Sequence, residues 1–286
     1  MPRPGLLVLL SACGAGRAPE DPAAWFDSGV PYTVDEPVAF TDQPYGLPAT
    51  PGEGIGDRLL PAFPQPSGSA VAEADLAAGL ACAGWRGTSS LPVEITGVVT
   101  VLPQFYYKSS GCGDDEKFYT SYFVEDDTGG VMILHDARMA TFDAGATITL
   151  RVRSVSRTFD NNLVYSHDVL NINRDPVPVR YVESNRPFEA ADVGRVQRVT
   201  GTIIAEPDGF GTFYVEPDGA EDPCIPPASD EDVPVGCAII GLSTELNRRP
   251  IEFPAGSRII ATGPIVSSFG YKLVVTRLGQ IEFLSE

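Results

Sequence analysis

The sequence predicts an all-β protein built from two copies of one five-stranded module, and three observations carry that reading. From residue 93 onward, apolar and polar residues alternate with the two-residue period of strands, punctuated by Gly, Asp and Asn. Short phrases then recur: Glu94-Ile95-Thr96-Gly97-Val98-Val99 as Arg198-Val199-Thr200-Gly201-Thr202-Ile203, Phe123-Val124-Glu125 as Tyr214-Val215-Glu216, and Phe142-Asp143-Ala144-Gly145 as Phe253-Pro254-Ala255-Gly256. The offsets of 104, 91 and 111 residues differ, so each copy has its own insertion. Copy one has about 13 extra residues between its first two strands, and copy two about 20 between its second and third.

In copy one the strands are expected near Val93–Leu102, Phe118–Glu125, Val131–His135, Thr147–Arg157 and Leu163–Ile172. In copy two they are expected near Arg195–Ala205, Gly211–Glu216, Ala238–Leu242, Arg258–Val266 and Lys272–Phe283. Asp127-Thr128-Gly129-Gly130 and Asp160-Asn161-Asn162 supply turn residues that tolerate positive φ. Gly97 and Gly201 fall inside the first strands, where a glycine permits the bend that closes a small barrel. Gly145 and Gly256 mark the tight entrance to the fourth strands. A short helix-like run, Val71 to Ala83, precedes the first module.

This order resembles the OB-fold, a five-stranded Greek-key barrel. The phrasing FVEDDTGGVMI … FDAGATITLRVRSVSRTFDNNLVYSHDVLNI is similar to OB-like domains of exported bacterial proteins of unassigned role. The resemblance implies one barrel in residues 71–175 and another in 176–286. A pair of small β-sandwiches is the alternative.

The amino terminus adds a location. Arg3 precedes a compact apolar run, and Leu10-Ser11-Ala12-Cys13 resembles the lipobox of bacterial lipoproteins. The resemblance implies cleavage after residue 12 and lipidation of Cys13. Gly14 in the next position implies sorting to the outer membrane, on its periplasmic face or the cell surface. Residues 13–70, rich in Pro, Gly, Ala and acids, are expected to be a flexible tether. Two or three acyl chains suffice as a stable anchor. Of five cysteines, Cys13 goes to lipid, and Cys82, Cys112, Cys224 and Cys237 remain as an even number for an oxidising compartment. Cys224 and Cys237 enclose CIPPASDEDVPVGC, where a bridge removes about 3 kcal/mol of loop entropy from the unfolded chain. Cys82 and Cys112 form the second expected pair.

The chemistry is mostly negative. Ser166-His167-Asp168 names triad residue types, but consecutive strand residues alternate faces and cannot form a relay. His135 reads as a lone surface histidine. No phosphate loop, zinc spacing or nucleophile elbow occurs, so no catalytic residue, metal centre or cofactor is expected. The acidic groups Asp114-Asp115-Glu116, Asp126-Asp127 and Asp230-Glu231-Asp232 are weak calcium candidates, led by Asp126 and Asp127. Phe105, Tyr106, Tyr107, Tyr119 and Tyr122 make an aromatic-rich region and are the candidate ligand contacts, because OB-folds bind on the face of strands two and three.

With 38 acidic against 20 basic residues the net charge is -18, a field that disfavours polyanions such as nucleic acid. The reading is therefore a lipid-anchored envelope protein that binds a protein or glycan without catalysis. The alternatives are a nucleic-acid-binding accessory of an exported nuclease and a hydrolase with a carboxylate site.

Overall fold

In the computed structural model, which describes residues 37–63, 93–109, 116–136, 141–158, 161–227, 234–268 and 270–285, the chain begins with a two-residue strand, β1 (Phe40–Thr41). The first module follows as β2 (Val93–Ser109), β3 (Glu116–Glu125), β4 (Gly130–Asp136), β5 (Thr147–Thr158) and β6 (Asn161–Asn173). Two short strands, β7 (Val179–Arg180) and β8 (Val182–Ser184), lead to the second module. It comprises β9 (Val196–Ala205), β10 (Thr212–Pro217), β11 (Ala238–Leu242), the single helical turn α1 (Thr244–Asn247), β12 (Arg258–Ser267) and β13 (Tyr271–Val275), with β14 (Ile281–Phe283) after it.

Both modules close into barrels of the same topology. The first runs β2-β3-β4-β6-β5 and closes through β2–β5; the second runs β9-β10-β11-β13-β12 and closes through β12–β9. Every pairing within them is antiparallel except β4–β6 and β11–β13, the third and fifth strands of each copy. That is the OB order, and the closed ladders exclude the sandwich alternative. Closure also pairs the edges that an open sheet of this length would expose.

The repeat extends to individual hydrogen bonds. In copy one the Gly145 N–H donates to Val99 O at 2.8 Å and the Val99 N–H to Ala146 O at 2.9 Å. In copy two Gly256 donates to Ile203 O at 2.7 Å and Ile203 to Ser257 O at 2.9 Å. Two interiors follow from the alternation. One gathers Ile95, Val99, Val124, Val131, Ile133, Ile148 and Leu150; the other Val199, Ile203, Phe213, Val215, Ile240 and Leu273. In the second barrel α1 contributes the buried Leu246 to the core. The first barrel takes its equivalent from outside the module: a π-helical turn, Ile55–Leu59, buries Ile55 and Leu59, and Phe63 follows.

That turn corrects the tether. Residues 37–63 fall within the stretch expected to be a flexible arm, yet they form a strap across the first barrel. β1 pairs in parallel with β7, and Ile55 enters the barrel core. Composition misled because Pro and Gly, read as signs of disorder, here serve tight turns between a few anchoring side chains. Cys13, Cys82, Cys112 and the run 71–83 lie outside the described residues, so the lipobox and the Cys82–Cys112 pair remain expectations.

The first insertion is also not a loop. β2 and β3 continue past the barrel as a paired ribbon, register-matched from Gln104↔Ser121 to Ser109↔Glu116. The second insertion carries the Cys224–Cys237 disulfide as expected, with an antiparallel bridge Ile225↔Val235 just inside it.

Candidate ligand-binding face

Along β3 and β4, Phe123, Met132 and Leu134 point away from the first barrel's interior and form an apolar cluster with Val101 and Leu163. All five are buried, and Val266 of β12 in the second barrel packs against them. This is the face of OB strands two and three. In the first barrel it is therefore an interdomain contact and not an open ligand surface.

Polar contacts fix that docking. The Asn161 side chain pairs with the backbone of Ser267 like a strand: its amide donates to Ser267 O at 2.8 Å, and its Oδ1 accepts from Ser267 N at 2.8 Å. The two backbones touch at Gly130 and Gly194, where a Cβ on Gly130 would stand 2.1 Å from Gly194 O.

Three consecutive acids at the β3–β4 turn tie the parts together. Glu125 accepts from the Val196 N–H of β9 at 3.0 Å and faces the Arg195 guanidinium at 3.4 Å. Asp126 accepts from Ile55 N at 2.7 Å through one oxygen, and through the other from Thr128 N, Thr128 Oγ1 and Gly129 N at 2.7–2.9 Å. Asp127 accepts from the backbone of Tyr45, Gly46 and Leu47 at 2.7–3.1 Å, with Arg180 at 3.3 Å. These contacts correct the calcium reading of Asp126 and Asp127. Their oxygens already hold N–H and O–H donors, which a cation would have to displace. Among the described residues no three His, Cys, Asp or Glu gather as metal ligands.

Two further expectations change. Tyr122, a candidate ligand contact, is 1% exposed, packs in the core against Phe142 and accepts a hydrogen bond from the Phe142 N–H. Strand alternation turns it inward, into the barrel core. Phe105, Tyr106 and Tyr107 lie on the β2 ribbon, with Tyr106 opposite Tyr119 of β3, and their side chains lie outside the description. His135, read as a surface residue, is 2% exposed. Its Nδ1 lies 3.2 Å from His167 Nε2, and burial, then the second imidazole, pushes His167 down to about 4. The sequence separates the two histidines by 32 residues; the parallel β4–β6 pairing brings them together.

The corresponding face of the second barrel is formed by β10, β11 and β13. Tyr214 of β10, Ile239 of β11 and Lys272 of β13 lie in one row across it. Lys272 leans over Gly241 and reaches Thr212 Oγ1 at 3.3 Å, and half-burial lowers its pKa. Between β9 and β10, Glu206-Pro207-Asp208-Gly209-Phe210-Gly211 forms a tight turn. Asp208 Oδ1 accepts from both Phe210 N and Thr212 N at 2.8 Å, and the Asp208 N–H returns to Thr212 O at 2.9 Å. The outcome is an aromatic ring, Phe210, standing 89% exposed on a turn with little freedom to fold it away.

Glu206 and Pro207 of the same turn form one wall of a cleft of about 510 Å³, whose floor includes Leu242, Leu246, Ile251 and Phe253. That volume is within the range of small-ligand sites. Phe210 is absent from the sequence expectations. Its signal is an aromatic between two glycines after Asp208, at a hairpin position.

No protein-family model matches the sequence, and no characterised protein does. In fold, the chain is similar to the tetrameric p202 HIN2 structure, at 13% identity and TM-score 0.30, covering 71% of this chain and 97% of that one. It is similar also to the Ifi202 HINa domain in complex with 20bp dsDNA, at 10% identity and TM-score 0.30, covering 69% and 98%. A third is a Replication Protein A heterotrimer bound to ssDNA, at 10% identity and TM-score 0.28, covering 67% and 48%.

Two of these three are complexes with DNA. The expectation that nucleic acid is disfavoured is corrected because net charge alone carried it. It treated a total of -18 as a property of every face. A total fixes no local potential: Glu125, Asp126 and Asp127 are consumed in internal contacts, while Lys272 and Arg249 stand at the second barrel's face and cleft.

Proposed function

We propose that the chain is an exported, lipid-anchored binding protein of the cell envelope, and that its second barrel holds the ligand without catalysis. Anchoring rests on Leu10-Ser11-Ala12-Cys13, and export is consistent with the Cys224–Cys237 bridge. In a bacterial host, palmitate should label the wild type and not Cys13→Ala; labelling of the variant overturns the anchor.

The observation that carries the binding role is Phe210. A phenylalanine left in water forgoes about 2 kcal/mol of burial, and here the Asp208 turn maintains that exposure. Rigid exposed aromatics supply contact area at small entropic cost. Amide spectra of the full soluble chain, titrated with chito-oligosaccharides and with proline-rich peptides, test the site. Shifts are expected at residues 206–211 and 242–254, and Phe210→Ala should weaken binding at least tenfold while leaving the unfolding midpoint unchanged. A single-stranded oligonucleotide is titrated alongside the sugars and peptides, and shifts at the same residues would identify nucleic acid as the ligand class; shifts confined to the first barrel, or none with any of the three, overturn the reading.

A further inference from the structure

We propose that the Glu125 carboxylate is a proton-operated latch between the two barrels, holding the apolar outer face of the first barrel under the second when protonated and loosening that contact when ionised.

The geometry places one ionisable group where docking hides it. Glu125 is 0% exposed. Its Oε2 accepts the Val196 N–H of the second barrel, while Oε1, also buried, makes no hydrogen bond among the described residues and faces Arg195 at 3.4 Å. That separation is long for a charge-assisted pair, and Arg195 keeps 22% of its side chain in water.

The charged and titratable groups around it come from each packed element. Asp126 follows it on the turn, Arg195 approaches from the linker, Arg180 stands on β7, and Tyr45 comes from the strap. Burial is the dominant influence and raises the carboxyl to about 7; Arg195, the Val196 amide and Arg180 oppose it, and Asp126 adds to it. Burial and the Glu125 charge likewise raise the Tyr45 hydroxyl, so it stays neutral.

The sign follows from linkage. Undocked and solvated, Glu125 titrates near 4.5, whereas docked it holds its proton to about 7. The docked form therefore binds the proton more tightly. Docking is fully favoured below 4.5 and weakens as pH rises through 7. What is uncovered on loosening is Val101, Phe123, Met132, Leu134 and Leu163, the apolar face of the first barrel.

The test is hydrogen exchange on the full chain, corrected for intrinsic chemistry, over peptides spanning 161–168 and 263–268. Protection should fall about tenfold per pH unit between about 5 and 7 in the wild type. It should stay flat in Glu125→Gln, which keeps an acceptor for Val196 and carries no charge. Arg195→Gln, which removes the opposing cation, should match the wild type at about pH 5 and lose protection at about pH 8. A wild type with pH-independent protection, a Glu125→Gln variant with the wild-type slope, or an Arg195→Gln variant equally weakened at both pH values would each overturn the latch.

Discussion

Asp126→Ala is expected to destabilise the first barrel by about 3 to 5 kcal/mol, measured as a fall in the urea midpoint. Asp126 is fully buried and satisfies three backbone N–H groups, those of Ile55, Thr128 and Gly129, and the Thr128 hydroxyl. Each donor left without a partner costs about 1 to 3 kcal/mol, more than the bond itself contributes. Losing the contact to Ile55 N also releases the π-helical turn that delivers Ile55 and Leu59 to the core. Asp126→Asn keeps one carbonyl oxygen and should lose about half as much. Exchange protection of residues 55–60 should fall before that of the barrel strands. A loss under about 1 kcal/mol for the alanine variant would show that the turn is held by other contacts.

Gly201→Ala should cost about 3 kcal/mol or more, or prevent the second barrel from folding. A Cβ there would stand 2.1 Å from Glu216 O and 2.8 Å from Val215 Cγ1. The strand cannot yield, since Gly201 is paired on both sides, to Pro217 of β10 and Ile259 of β12. Overpacking of this kind usually costs about 1 to 3 kcal/mol, and clash with backbone in place of a flexible side chain puts it at or above that upper bound. Gly241→Ala is the control within the same barrel. Its Cβ would meet only Lys272, the nearest atom being Cδ at 3.5 Å, and the substitution should cost less than about 1 kcal/mol. Equal losses from the two substitutions would mean that the loss of glycine, and not the crowding at 201, sets the penalty.

The two glycine sites show what is legible beforehand. The repeat marks Gly97 and Gly201 as the bend of the first strand, and both face the same neighbours in their copies: Val124 and Glu125 for one, Val215 and Glu216 for the other. The aromatic candidates are less legible. Tyr122 carries the right residue type on the wrong face, and Phe210 the right exposure with no periodic signal to mark it.

The sequence by itself determined the repeated module, its strand order, the turn and bend positions and the Cys224–Cys237 bridge. Those features are local: alternation, turn chemistry and short loop closure are written within a few residues of where they act. Tertiary structure alone decided that Glu125, Asp126 and Asp127 would clasp a barrel, a core-filling turn and a strap, that His135 would meet His167, and that the outer face of the first barrel would be packed against the second. Each depends on which donors or surfaces arrive from distant parts of the chain, and a carboxylate has the same letter whether it accepts a distant amide or faces water.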